Sequence, residues 1–173
     1  MMPSQNRYRQ QRQGTELTCT SSIADQEDLE RKIDAITTYQ KPHIKSIFVR
    51  MARNATILHD YIIAQKNEQN IKESTIEGII KKLVWLSTYL GDKSYDQMTK
   101  GGLLDYLNGI KRPSQVDPIH KSIGTYNGRQ MTFSTFFRRL YNPDEPNYRK
   151  RITASCMRGI KRLPRLETST NDY

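Results

Sequence analysis

Cysteine is scarce in this chain: Cys19 and Cys156 are the only two among 173 residues. They stand far apart and build no disulfide framework, so both thiols are expected to be free in a reducing cytoplasm. Long apolar runs are missing too. A run such as Leu83-Val84-Trp85-Leu86 falls far short of the roughly 20 residues that a membrane-spanning helix needs. The polar N-terminus also lacks the apolar segment of a secretory signal. The three histidines, His43, His59 and His120, have no metal-ligand spacing and no Cys–His cluster around them. Gly101-Gly102 lacks the flanking strand and the lysine of a nucleotide-binding loop, and Asp144-Glu145 reads as a solvated turn. These gaps leave no catalytic constellation, so no enzyme activity, cofactor, metal or small-molecule substrate is expected. No strand pattern, internal repeat or heptad run occurs, which leaves an all-α reading.

Acidic residues are scarce in one region only. Between Lys111 and Arg165 stand thirteen lysines and arginines but three acids, Asp117, Asp144 and Glu145. That stretch alone accounts for the whole net charge of +10. A basic field so concentrated attracts polyanions and gains free energy from the counterions they release. DNA, RNA or an anionic membrane surface would each fit that description.

Among the elements that are present, a stretch with two contrasting faces stands at residues 122–141. At about 100° per residue, Tyr126, Phe133, Phe136, Phe137 and Leu140 fall on one stripe of a helix. Met131, Ser134, Thr135 and Arg138 fall on the other side, with Arg139 at its flank. Asn142-Pro143 ends the helix, because a residue before proline is pushed out of the α region. Short hydroxyl side chains and long arginines suit the approach to a nucleic-acid groove. By itself the pattern fits an ordinary amphipathic helix equally well.

The rest of the chain reads as follows. Residues 1–22 are polar and bury too little apolar surface to offset chain entropy, so disorder is expected. Residues 23–51 form a helical extension. Leu29, Ile33 and Ile36 share one face, Pro42 breaks the chain, and Ile44, Ile47, Phe48 and Met51 begin a second stripe. Asn54 suits the N-cap of a helix through Ile57, Leu58, Tyr61 and Ile62. Ser74-Thr75-Ile76-Glu77 reads as a capping box that opens a helix to Leu90, with Gly91 as its C-terminal cap. The outer face of that helix carries Gly78, Lys81, Lys82, Trp85 and Tyr89. Lysines beside aromatics suit a DNA backbone, although the cost of exposing a large aromatic favours a Trp85 covered by the preceding helix. Thr99 caps a helix over about 100–110. Residues 111–124 form a long loop, and Lys111, Arg112, His120 and Lys121 give it a phosphate-contacting character. A short helix follows over about 153–160. Residues 161–173 read as a linker. The architecture expected is a small bundle of four to six helices over 52–160, between a disordered tail and a basic exit.

The order of these elements resembles the N-terminal core-binding, SAM-like domain of tyrosine recombinases, the phage-integrase superfamily, and the archaeal branch looks closest. The residues that carry the resemblance are Tyr89-Leu90-Gly91, the helix start from Thr99 to Leu104, and Phe136-Phe137-Arg138-Arg139-Leu140-Tyr141-Asn142-Pro143. It spans about 52–165 and rests on no invariant chemical signature. The resemblance implies a helical domain that clamps one side of duplex DNA, with helices 74–90 and 124–141 across the major groove. It also implies that Ile160-Lys161-Arg162-Leu163-Pro164-Arg165 leads along the DNA to a separate catalytic domain. The arginine/histidine set and tyrosine nucleophile of that domain are not found in this sequence: no His-x-x-Arg occurs, and nothing around Tyr173 would activate a phenol.

The expectation is therefore a DNA-binding half of a site-specific recombinase, serving DNA integration in a mobile element, nucleoid-associated in the cytoplasm and without strand cleavage of its own. Double-stranded DNA is the expected partner, with self-association on the duplex. Lys81, Lys82, Arg112, Lys121, Arg139, Lys161 and Arg162 are the candidate phosphate contacts. Arg129, Ser134, Thr135 and Arg138 are the candidate groove contacts, since an arginine bidentate to guanine discriminates by roughly 1–3 kcal/mol. Two other classes stay open. A helix-turn-helix regulator would need a short turn before its recognition helix, which the 111–124 loop does not supply. A protein-interaction module would make the basic surface incidental. RNA is disfavoured because the aromatics fall on the buried stripe, where bases cannot stack on them.

Overall fold

The computed structural model describes Arg31, Ile47 and residues 52–164. The expected tail over 1–22, most of the extension over 23–51 and the linker beyond 164 lie outside the described residues. Among those described, the chain is all-helical. Over residues 52–164 the α-helices are α1 (Ala52–Gln69), α2 (Glu73–Leu90), α3 (Lys100–Asn108) and α4 (Lys121–Tyr141), with single 3-10 turns at Tyr95–Gln97 and Ser155–Met157. No described helix is long and apolar enough to cross a membrane.

α4 lies at the centre. Its aromatic stripe forms the core as the periodicity predicts: Phe133, Phe136 and Phe137 are fully buried and Tyr126 nearly so. The Phe136 ring meets Tyr61 of α1, Tyr95 of the first 3-10 turn and Phe137 edge-on, at centroid distances of 5.1, 5.0 and 5.1 Å. Edge-to-face pairs add to the area term of about 1.5–3 kcal/mol for each large apolar side chain buried. Ile47, from the N-terminal extension, joins the same core.

Several helix ends differ from the sequence expectation. Asn54 is not an N-cap but lies inside α1, fully buried. Its carboxamide accepts from Tyr95 N (2.8 Å) and donates to Ser87 Oγ (3.2 Å) and Lys93 O (3.0 Å). A buried amide with three partners joins α1, the end of α2 and the following turn. The Ser74–Glu77 capping box is not used. α2 starts at Glu73, capped by Lys72 through its carbonyl alone, which accepts from Thr75 N and Ile76 N. Thr99 does cap α3, its hydroxyl accepting from Gly102 N at 3.1 Å. Gly91 ends α2 at φ +62, where a side chain would be strained.

α4 begins inside the expected loop. The Asp117 carboxylate accepts from Lys121 N (2.9 Å) and Ser122 N (2.7 Å), satisfying two donors of the first turn. The expected helix over 153–160 is a single 3-10 turn within a segment, 142–163, that runs back along α4. Side chains of α4 take up its backbone groups instead. Gln130 donates to Ile160 O (3.1 Å), and Asn127 pairs with both the carbonyl and the N–H of Leu163 (2.9 and 2.8 Å). Ala154, Cys156, Met157 and Ile160 close the core from this side.

Candidate nucleic-acid interface

The outer face of α2 carries Lys81, Lys82, Trp85 and Tyr89. α1 packs against its other side, through Asn54 and Ser87. Trp85 is therefore not covered by the preceding helix, contrary to the reading favoured above, and remains 41 % exposed, with Tyr89 at 49 %. What Trp85 meets is cationic. The Arg129 guanidinium of α4 lies 4.4 Å from its ring centre and Lys81 Nζ lies 5.2 Å away. Arg129 also donates to the Tyr106 hydroxyl at 2.5 Å and lies 5.4 Å over that ring. Tyr106 packs edge-on against Tyr89. Contacts of this kind hold long cationic side chains near one geometry while leaving their charge at the surface.

Lys82 bridges to α4, donating to Thr132 Oγ1 (3.2 Å) and more weakly to Gly128 O (3.5 Å). Partial burial, and then the neighbouring Arg129, hold its ammonium below the ordinary lysine range. A negative charge placed beside it would favour its charged form. Arg129 continues the surface toward the loop before α4. There, Arg112, Lys121 and Arg129 share an open hollow of about 680 Å³ with Val116, Ile119 and Thr125. Lys111 Nζ lies 5.2 Å over the buried Tyr126 ring. Five of the expected residues, Lys81, Lys82, Arg112, Lys121 and Arg129, thus fall on one connected stretch of surface. Arg129 sits at its middle, among residues expected to hold phosphates rather than read bases.

The other half of α4 is different. Arg138 donates to Thr153 Oγ1 (2.9 Å) and lies 5.5 Å over the Tyr148 ring. Arg139 pairs with Glu68 of α1 (3.0 Å) and donates to Pro143 O (2.7 Å). Arg138 and Arg139 are thus tied to the 142–163 segment and α1, while Met131 on the same face stays 50 % exposed. Ser134 and Thr135 are half-buried, and the Thr135 hydroxyl donates to Met131 O in its own helix (3.2 Å). Lys161 and Arg162 are exposed on the segment that Gln130 and Asn127 hold. Arg162 shares a second hollow with Met131, Thr135, Tyr148 and Glu68.

Three features were missed from the sequence. Arg151 is wholly buried and donates to Glu68 (2.8 Å) and Glu145 O (2.7 Å). Asn127 and Gln130 are polar residues beside the aromatic stripe, and only the returning chain explains them. The exposed aromatics Trp85 and Tyr89 weaken the argument from burial against base stacking, which holds for α4 alone. Among the described residues no three His, Cys, Asp or Glu side chains gather as a metal site would require. No family model, curated protein or solved structure matches this chain.

Proposed function

We propose that this chain binds double-stranded DNA through the outer face of α2, the N-terminal half of α4 and the loop between α3 and α4, as the core-binding half of a site-specific tyrosine recombinase. The observation that carries the DNA reading is the gathering of Lys81, Lys82 and Arg129 around an exposed Trp85, with Arg112 and Lys121 alongside. Basic side chains from separate elements on one surface are what a phosphate backbone requires. The recombinase assignment rests on the resemblance around Tyr89–Gly91, Thr99–Leu104 and Phe136–Pro143. In this reading the chain itself cleaves no strand, needs no cofactor and works at the nucleoid.

The test is a titration of a fluorescent duplex over a range of salt concentrations. If the five cations each neutralise a phosphate, log K falls with log salt at a slope of roughly −4 to −5. Binding that ignores salt would refute the electrostatic account. Selection from random duplexes addresses the recombinase assignment, which expects paired half-sites to be enriched.

A helix-turn-helix regulator gains one observation: only residues 70–72 separate α1 from α2. In that case the first turn of α2 would enter the groove. Arg112 and Lys121, at the far loop, would then contribute nothing, so replacing both with alanine leaves affinity unchanged. The reading preferred here expects a clear loss and a shallower salt slope.

A further inference from the structure

The loop between α3 and α4 does something that phosphate contact does not explain. It turns two β-branched side chains outward: Val116 is 66 % exposed and Ile119 58 %. A loose loop would expose them by accident, but this one is folded. Val116 N and Asp117 N both donate to Pro113 O (2.9 and 3.0 Å), and His120 N donates to Asp117 O (3.0 Å). The Asp117 carboxylate then ties the loop to the first turn of α4. The two apolar side chains are thereby held out on a preformed knob, and both border the hollow that Arg112, Lys121 and Arg129 line. Asp117 is the only acid of the loop, and its charge is already engaged by backbone N–H groups. The surroundings of the knob thus complement a polyanion better than an acidic or apolar protein face.

We infer that the 113–120 knob is an apolar wedge that enters the minor groove of the bound duplex, slides Val116 and Ile119 between two base pairs and kinks the DNA, while Arg112, Lys121 and Arg129 hold the flanking phosphates. Apolar side chains used in this way partly unstack a base step and bend the duplex by roughly 20–90°. Flexible pyrimidine–purine steps such as TA yield most readily. The inference rests on the DNA-binding reading and adds a distortion of the ligand to it.

The test uses the full chain and a duplex with a central TA step, a fluorophore pair at its ends and 2-aminopurine beside the step. On binding, the wild-type chain is expected to raise end-to-end energy transfer and 2-aminopurine emission together. The Val116→Ser/Ile119→Ser variant changes only exposed side chains. It should keep its circular dichroism and the salt slope of its binding, which the phosphate contacts set, while losing both signals. A Val116→Leu/Ile119→Leu variant should retain them. Salt-dependent binding by the wild type with neither signal, or serine and wild-type chains that bend DNA equally, overturns the wedge and leaves the DNA reading standing. A serine variant that converts a dimer to a monomer in sedimentation, with bending unchanged, also overturns it and assigns the knob to a second copy. No duplex binding by the wild type at any salt concentration overturns the DNA reading and the wedge with it.

Discussion

Arg129 and Arg139 lie on the same helix and both are half-buried, yet one is held by aromatic rings and the other by an acid. The difference comes from what each half of α4 meets. Beside the N-terminal half stand aromatic rings, Trp85 and Tyr106, which hold a guanidinium without neutralising it. The C-terminal half meets an acid, Glu68, through Arg139, whereas Arg138 meets the Tyr148 ring and the Thr153 hydroxyl of the 142–163 segment. There Arg139 spends its charge on joining α4 to α1. A count of basic residues treats both halves alike, whereas the partner type separates a cation left without an acid from one held in an ion pair.

The strongest way to break that contrast is Glu68→Ala. It leaves Arg151, whose side chain has no exposure, without its carboxylate and Arg139 without its ion pair. An unpaired buried charge costs 3–5 kcal/mol, and the partial exposure of Glu68 brings the expected loss to about 2–3 kcal/mol. Urea denaturation measures it. The salt slope of duplex affinity should not change, because no cation of the α2 surface is touched.

A paired substitution sharpens the same contrast. Arg129→Ala should weaken duplex binding by roughly tenfold, about 1.4 kcal/mol, and make the salt slope shallower by about one. Arg138→Ala should instead cost about 1 kcal/mol of stability, the typical value of one hydrogen bond, with sequence preference unaltered. Anisotropy titrations beside thermal melts separate the two. Relaxed sequence preference in the Arg138 variant would restore that residue to the groove and dissolve the distinction between the halves.

The elements were largely legible in the sequence, because each has a local signature. The aromatic stripe of α4, the Thr99 cap, the Gly91 stop and the apolar face of α2 depend on residues within a turn or two of each other. Asn54 looked like a cap because its partners Ser87, Lys93 and Tyr95 lie 33 to 41 positions away. Nothing local marked Arg151 for burial, because Glu68 is 83 positions distant. The same limit applied to the site. Lys81 and Lys82 could be placed on an outer face from periodicity alone. That Arg129 would cross to Trp85, and that the 142–163 segment would cover Arg138, depends on packing that no local pattern encodes.

The smallest effect concerns how the loop is fastened to α4. Hydrogen bonds from Ser122, side chain first and then backbone, hold the Asp117 carboxyl below the ordinary carboxylate range. A carboxylate whose folded-state pKa is depressed contributes stability that is complete above its unfolded value, near 3.9, and fades as pH falls below it. Acidification through that window should therefore loosen the first turn of α4 before the aromatic core gives way. Hydrogen exchange at the Lys121 and Ser122 amides reports it directly. Protection there should fall as the pH drops below about 4 while Phe136 and Phe137 amides remain slow. Asp117→Asn should show reduced protection already at neutral pH and little further change on acidification. Equal protection in both chains at every pH would mean that the start of α4, and with it the position of Lys121, is set by packing alone.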